Sequence, residues 1–331
     1  MKIAFFEINK WEKEYFKEKL KKHSLVFFKE PLNSKNIEKA RDAEGVVCFI
    51  YSELKGENLG KIPKLKFIAT MSSGFDHIDL KYCKSKGIKV SNAPFYGENT
   101  VAEHTFALIL ALSRNIYEAI EKTKRDDFSI TGLKGFDLKG RTLGIIGAGH
   151  IGRCVIKMAN GFGMKVIAYS RTKDKKLNRQ LKFEWASSLS SLLKRSDIIS
   201  IHVPLNEETK HMINMGNIND LKKGAYLINT ARGEIVDTDA LIYALDKRVL
   251  AGAGLDVLEG EGEIKEERIL LKRGSKDWET FLENHLLLKE KNVIITPHCA
   301  FYTQEALMRI ANTTLGNVGA FLKGKIKNKV C

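Results

Sequence analysis

The run Thr142 Leu143 Gly144 Ile145 Ile146 Gly147 Ala148 Gly149 His150 Ile151 Gly152 decides the fold of this chain. A short apolar stretch leads straight into a GxGxxG turn, and from Ile151 the apolar residues Ile151, Val155 and Met158 recur at helical spacing. The turn therefore opens a helix, where unpaired N–H groups and the helix dipole attract a diphosphate. Gly147 permits the tight turn, Gly149 lets the phosphates approach the backbone, and Gly152 brings the helix close to the strand. His150 and Ile151, between those glycines, belong to the same cofactor-binding set. A GxGxxG alone is a weak signal, but here a second apolar run, Lys165 to Tyr169, follows at βαβ distance, and the whole reads as a dinucleotide-binding motif.

Working outward, the 331 residues suffice for two domains with separate cores. Before the motif, Lys2 to Glu7, Ser24 to Phe28, Gly45 to Phe49, Phe67 to Met71 and Ile88 to Ser91 are short apolar runs that predict a small α/β domain. A long helix starts near Glu98, with Phe106, Ile109, Leu110 and Leu112 on an apolar face suited to linking domains or meeting a partner subunit. After the motif come Asp197 to Val203, Ala225 to Thr230, Leu250 to Val257 and Asn292 to Thr296. With Leu143 to Ile146 and Lys165 to Tyr169 they predict a doubly wound, six-stranded parallel sheet of the Rossmann kind. A charged insertion lies between Glu259 and Lys291, and the amphipathic stretch from Thr303 to Leu322 predicts a helix that returns to the first domain.

The formal net charge of +15 raises the possibility of a nucleic-acid partner. In the run Lys10 to Lys19, however, basic and acidic residues alternate, as on a solvated helix face, and no nucleic-acid module is recognisable. The start turns charged too early for a signal peptide, and runs such as Phe106 to Leu112 are too short to cross a bilayer, so a cytoplasmic protein is expected. Cys48, Cys83, Cys154, Cys299 and Cys331 are scattered without CxxC spacing, which argues for free thiols and against a zinc site.

Hydride transfer with a nicotinamide cofactor needs a cation for the substrate's acid group and a general acid/base for its hydroxyl proton. Asn229 Thr230 Ala231 Arg232 Gly233 ends one predicted strand, Gly254 Leu255 Asp256 Val257 the next, and Thr296 Pro297 His298 Cys299 Ala300 the last. Such carboxyl ends line the ligand crevice of an open α/β sheet. Arg232 offers a planar fork that matches a carboxylate, and His298 is of the residue type that gives and takes a proton near neutrality.

These residues resemble the D-isomer-specific 2-hydroxyacid dehydrogenase family. The resemblance also covers Ser73 Gly74 Phe75 Asp76 His77 Ile78 Asp79, Tyr96 to Glu103, His202 Val203 Pro204 Leu205 and Gly254 to Glu261, and so spans nearly the whole chain. It implies a smaller flavodoxin-like α/β substrate domain, 1–98 with 301–331, beside a dinucleotide-binding domain, 99–300. It implies that Arg232 binds the substrate's carboxylate and carbonyl, that His298 is the acid/base, and that Glu261 hydrogen-bonds His298. Asp256 would hold the nicotinamide, and the N–H groups of Ser73 and Gly74 would bind the carboxylate, closing the site between domains. His202, Val203, Pro204, Thr209, Thr230 and Ala231 would line the cofactor cleft, and Tyr51, Tyr96, Phe301 and Tyr302 would shape the substrate pocket.

The cofactor is read from the end of the second strand. An acidic residue usually stands there and binds the ribose 2′-hydroxyl. Here the run is Ser170 Arg171 Thr172 Lys173, whose hydroxyls and cations suit a 2′-phosphate, so NADP is favoured over NAD. The expected reaction is reduction of a small 2-oxoacid, namely glyoxylate, hydroxypyruvate or pyruvate, to the D-2-hydroxyacid by a homodimer. An NAD(H)-sensing corepressor-like binding protein and phosphoglycerate dehydrogenase are the alternatives.

Overall fold

Strands β1 (Lys2–Phe5), β3 (Gly45–Cys48) and β4 (Phe67–Thr70) are almost wholly buried, because a parallel sheet is covered on both faces. With β2 (Ser24–Phe27) and β5 (Lys89–Ser91) they form a five-stranded parallel sheet in the order β2-β1-β3-β4-β5. This is the order in which chain direction reverses between β1 and β3. Helix α1 (Lys10–Lys19) follows a capping box of Asn9 and Glu12, α2 spans Gly56–Leu59, and α3 (Leu80–Ser85) is capped by the Asp79 carboxylate. The computed structural model describes residues 1–260 and 276–331. Within them the chain divides into one unit of Met1–Tyr96 with Thr303–Cys331 and a second of Gly97–Tyr302.

The helix Gln304–Leu322 belongs to the first unit, where Phe321 stacks on Phe67 of β4 at 4.4 Å. Thr303 caps it by accepting from the Ala306 N–H.

The second unit begins with α4 (Glu98–Ser113) and α5 (Ile116–Thr123) and then enters the predicted motif as β6 (Thr142–Ile146) and α6 (His150–Gly161). It continues through β7 (Lys165–Tyr169), α7 (Lys175–Leu181), β8 (Glu184–Trp185), α8 (Leu189–Arg195), β9 (Ile198–Ile201), β10 (Ala225–Asn229), α9 (Thr238–Asp246) and β11 (Leu250–Leu255). The helix Lys276–Leu287 precedes β12 (Val293–Ile295). The sheet order is β12-β11-β10-β9-β6-β7-β8, all parallel, with the direction reversing between β6 and β9. Successive residues alternate between two cores. Ile145 packs with Val166, Phe106 and Val155 on one face, while Ile146 packs with Ile199, Leu227 and Leu241 on the other.

Two differences from the sequence reading have physical reasons. The sheet has a seventh strand, β8, too short and too charged to show periodicity, anchored by the edge-to-face contact of Phe183 with Trp185. The apolar face of α4 is also occupied within its own unit, against α6, β10 and β11, and so is not free for another subunit.

Candidate active site

The glycine turn is built from backbone approach. Gly147 has φ +99, a left-handed conformation that a side chain resists, and a Cβ there would lie 2.7 Å from the His202 carbonyl oxygen across the reversal between β6 and β9. A Cβ on Gly152 would lie 2.1 Å from the Gly147 oxygen, so this glycine admits the first turn of α6 against the turn itself, even more closely than against the strand. Around Gly149 nothing lies within 4 Å of a Cβ position, and as N-cap it carries no side chain to cover the first N–H groups of α6. Open space above unscreened helix donors fits a diphosphate. His150 pairs its Nδ1 with Glu98 at 2.9 Å.

Ser170 stands at the end of β7, where its hydroxyl accepts from the Ala148 N–H at 3.0 Å and so braces the turn. Beside it Arg171, exposed, pairs with Glu208 at 3.3 Å, and Lys173 donates to the Ala186 carbonyl at 2.7 Å. Thr172 is exposed. At the end of β9, Ser200 and His202 Nε2 are 2.8 Å apart, and burial pushes the His202 imidazole down to about 3. Val203 and Pro204 continue this loop, which Thr209 closes by donating to the Pro204 carbonyl at 2.6 Å while accepting from the Asn206 N–H.

The chemistry-bearing ends of β10, β11 and β12 are tied into one hydrogen-bonded unit. Asn229 accepts from the Ala231 N–H and donates to the Arg232 carbonyl, which shapes the turn presenting Arg232. The Arg232 guanidinium lies along that turn, with Nη1 donating to the Ala231 carbonyl at 2.7 Å. The Asn229 carbonyl accepts from the Asp256 N–H, and the Asp256 carbonyl accepts from the His298 N–H at 2.8 Å. His298 itself sits at φ +53, in the left-handed region that non-glycine residues seldom occupy. Thr230 contributes its hydroxyl to a 3.1 Å contact with Thr105 of α4.

Asp256 is 1 % exposed, and its carboxylate accepts from the Thr296 hydroxyl, the Cys299 N–H and the Ala300 N–H. His104, from α4, brings Nε2 to 3.0 Å from Thr296 Oγ1 and 3.5 Å from Asp256 Oδ1. The ligating atoms of His104, Asp256 and Cys299 lie within 4.8 Å of one another. Burial, with Asp256 beside it, pushes the Cys299 thiol up, and the carboxylate oxygens already accept the chain's own donors, so the group suits hydrogen bonding better than a metal. Asn229 and His104 are the participants that the sequence did not single out. Both act through contacts whose partner or purpose no local pattern displays.

In the first unit, Ser73 and Gly74 follow β4, with the Ser73 carbonyl accepting from Asn92 and the Gly74 carbonyl from the Ser72 hydroxyl. The Tyr96 carbonyl accepts from Arg309 at 2.7 Å. At the reversal between β1 and β3, Glu7 organises the loop after β3, accepting from the Phe49 and Tyr51 N–H groups and from the Ser52 hydroxyl. Burial raises the pKa of Glu7, opposed by those hydrogen bonds. Glu261 lies outside the described residues. Its neighbour Glu259 is held by His211 at 2.7 Å and by the Thr238 hydroxyl at 2.9 Å.

The sequence model described as D-isomer specific 2-hydroxyacid dehydrogenase, NAD binding domain, matches residues 106–300. A 2-hydroxyacid dehydrogenase homolog of Zymomonas mobilis is 38 % identical over 317 residues, covering 92 % of this chain and 91 % of that protein. A glyoxylate reductase of Thermococcus litoralis is 39 % identical over 297 residues, covering 88 % and 84 %. Among solved structures, D-lactate dehydrogenase from Aquifex aeolicus, complexed with NAD and lactic acid, superposes with a TM-score of 0.89 at 40 % identity, covering 97 % of this chain and 96 % of that one.

Proposed function

We propose that glyoxylate, hydroxypyruvate or pyruvate is the substrate of this chain, which belongs to the D-isomer-specific 2-hydroxyacid dehydrogenase family and reduces a small 2-oxoacid with NAD(P)H to the D-2-hydroxyacid. One observation carries the residue assignment: Asn229 and Asp256 link the turn that bears Arg232 to the segment that bears His298, on the strand-end edge that also bears the glycine turn. Arg232 is the cation that orients the carboxylate and polarises the carbonyl. A nicotinamide bound over the glycine turn would supply the hydride. His298 gives its proton to the carbonyl oxygen as negative charge develops there, so that no free alkoxide forms. Ser73 and Gly74 offer N–H groups to the substrate's carboxylate, and Tyr96 borders its side chain. Glu261 keeps its proposed place as the partner of His298.

The test is a set of initial rates with glyoxylate, hydroxypyruvate, pyruvate and longer 2-oxoacids, each with NADH and NADPH. Turnover should concentrate on the two- and three-carbon acids. In His298→Ala, turnover should fall by about 10²- to 10⁴-fold while the cofactor still binds, and an active variant would refute the assignment.

NADP remains the favoured cofactor in this proposal, on a narrower basis than the sequence offers. Ser170 braces the turn and Lys173 is held elsewhere, so the 2′-phosphate is left to Arg171 and Thr172, and Glu208 competes for Arg171. We also propose a homodimer, supported by the exposed apolar residues Ile116, Tyr117, Ile120, Phe128 and Ile130 on α5 and the loop after it. Five free cysteines support a reducing, cytoplasmic location, and among the described residues no helix is long and apolar enough to cross a membrane.

A further inference from the structure

His298 stands in the left-handed region, which non-glycine residues seldom occupy, so contacts around it have to hold the backbone there. Asp256 does so from three sides. Its carbonyl accepts the His298 N–H, one carboxylate oxygen accepts the Cys299 N–H and the other the Ala300 N–H, so the two residues after His298 are gripped by a carboxylate that is itself buried. A buried carboxylate held this way depends on every donor it has.

The Cys299 thiol and the Thr296 hydroxyl are further side-chain partners of that carboxylate, and the direction of the Thr296 bond can be deduced. A carboxylate has only acceptors, so Thr296 must donate to Asp256 Oδ1. Its oxygen is then left with lone pairs, and the atom 3.0 Å away is His104 Nε2. Nε2 must therefore carry a hydrogen and donate to Thr296, whatever the charge on the ring. The chain of bonds runs from His104 on α4 through Thr296 to Asp256, and from Asp256 to both sides of His298. Without the imidazole, the Thr296 hydroxyl is free to turn towards other acceptors, and Asp256 loses a donor.

We propose that His104 is a positioning residue for catalysis, setting the backbone of His298 through Thr296 and Asp256 without touching the substrate or cofactor. This inference rests on His298 being the acid/base. Its consequence falls on the chemical step rather than on binding, because a small misplacement of a proton donor slows turnover more than it weakens a ligand held by other groups.

Three variants and one exchange measurement test it. His104→Phe should lower kcat by about tenfold or more, while KM for the 2-oxoacid and Kd for NADH each change by less than about threefold. His104→Gln, which can offer an N–H in the same place, should recover most of kcat. Thr296→Val breaks the same chain of bonds with almost no change in shape, and it decides the matter should His104→Phe fail to fold. In both disruptive variants, amide hydrogen exchange in the peptide containing Cys299 and Ala300 should quicken relative to the parent. Parental kcat in Thr296→Val, a Gln variant no better than Phe, or equal losses in kcat and cofactor binding would overturn the proposal. So would zinc retained by the purified parent enzyme and lost in His104→Phe, since His104 would then be a ligand. His298→Ala separates the two readings: if it stays active, the acid/base assignment fails, whereas an inactive His298→Ala beside a fully active Thr296→Val rejects only the role of His104.

Discussion

At the scale of single residues, the proposed preference for NADP rests on two exposed side chains. An exposed ion pair such as Arg171 with Glu208 contributes little to stability, so changing either should act on the ligand more than on the fold. Arg171→Ala should raise KM for NADPH by roughly three- to tenfold and leave KM for NADH nearly unchanged, whereas Glu208→Gln should lower KM for NADPH. Equal shifts for the two cofactors would exclude a 2′-phosphate contact. His202 makes a different prediction, about pH. Burial holds its folded-state pKa near 3, below the ordinary 6.5, so the unfolded chain binds a proton that the folded chain refuses once the pH falls below 6.5. The fold favours its neutral form, and stability should fall with decreasing pH over that window by up to about 1.4 kcal/mol per pH unit. Urea unfolding at several pH values should show a shallower dependence in His202→Gln, and identical slopes would contradict the burial of a neutral ring.

At the scale of elements, the strand, turn and helix from Thr142 to Gly161 were legible because each signal is local: an apolar run, glycines at fixed spacing, then helical periodicity. What was not legible is the contact that gives Gly152 its necessity. Gly152→Ala would place its Cβ 2.1 Å from the Gly147 oxygen, a backbone atom that cannot turn aside. We expect the Kd for either cofactor to rise by at least about tenfold, with secondary structure by circular dichroism little changed. Parental affinity in that variant would show that the turn can shift without loss. Strand β8 is not legible because two residues carry no period, and the apolar face of α4 does not by itself say what covers it. The covering came from α6 and from strands far along the chain.

At the scale of the whole molecule, α5 and the loop after it expose a run of apolar side chains, with Phe128 78 % and Ile130 85 % exposed. Ile120→Asp combined with Phe128→Ser should convert a dimer to a monomer in sedimentation equilibrium, and a parent protein that sediments as a monomer would remove the proposal. The sequence by itself determined the two parallel sheets and the glycine turn, and it supplied the residue types proposed for a hydride-transfer site, because apolar periodicity, glycine geometry and side-chain chemistry are properties of short segments. The tertiary structure alone decided that Ser170 braces the turn, that Glu208 meets Arg171, and that His104 reaches Thr296 across 192 positions of sequence. Those partners are chosen by strand order and packing. A hydrogen bond between distant residues depends on where the folded backbone brings them, and no local pattern carries that information.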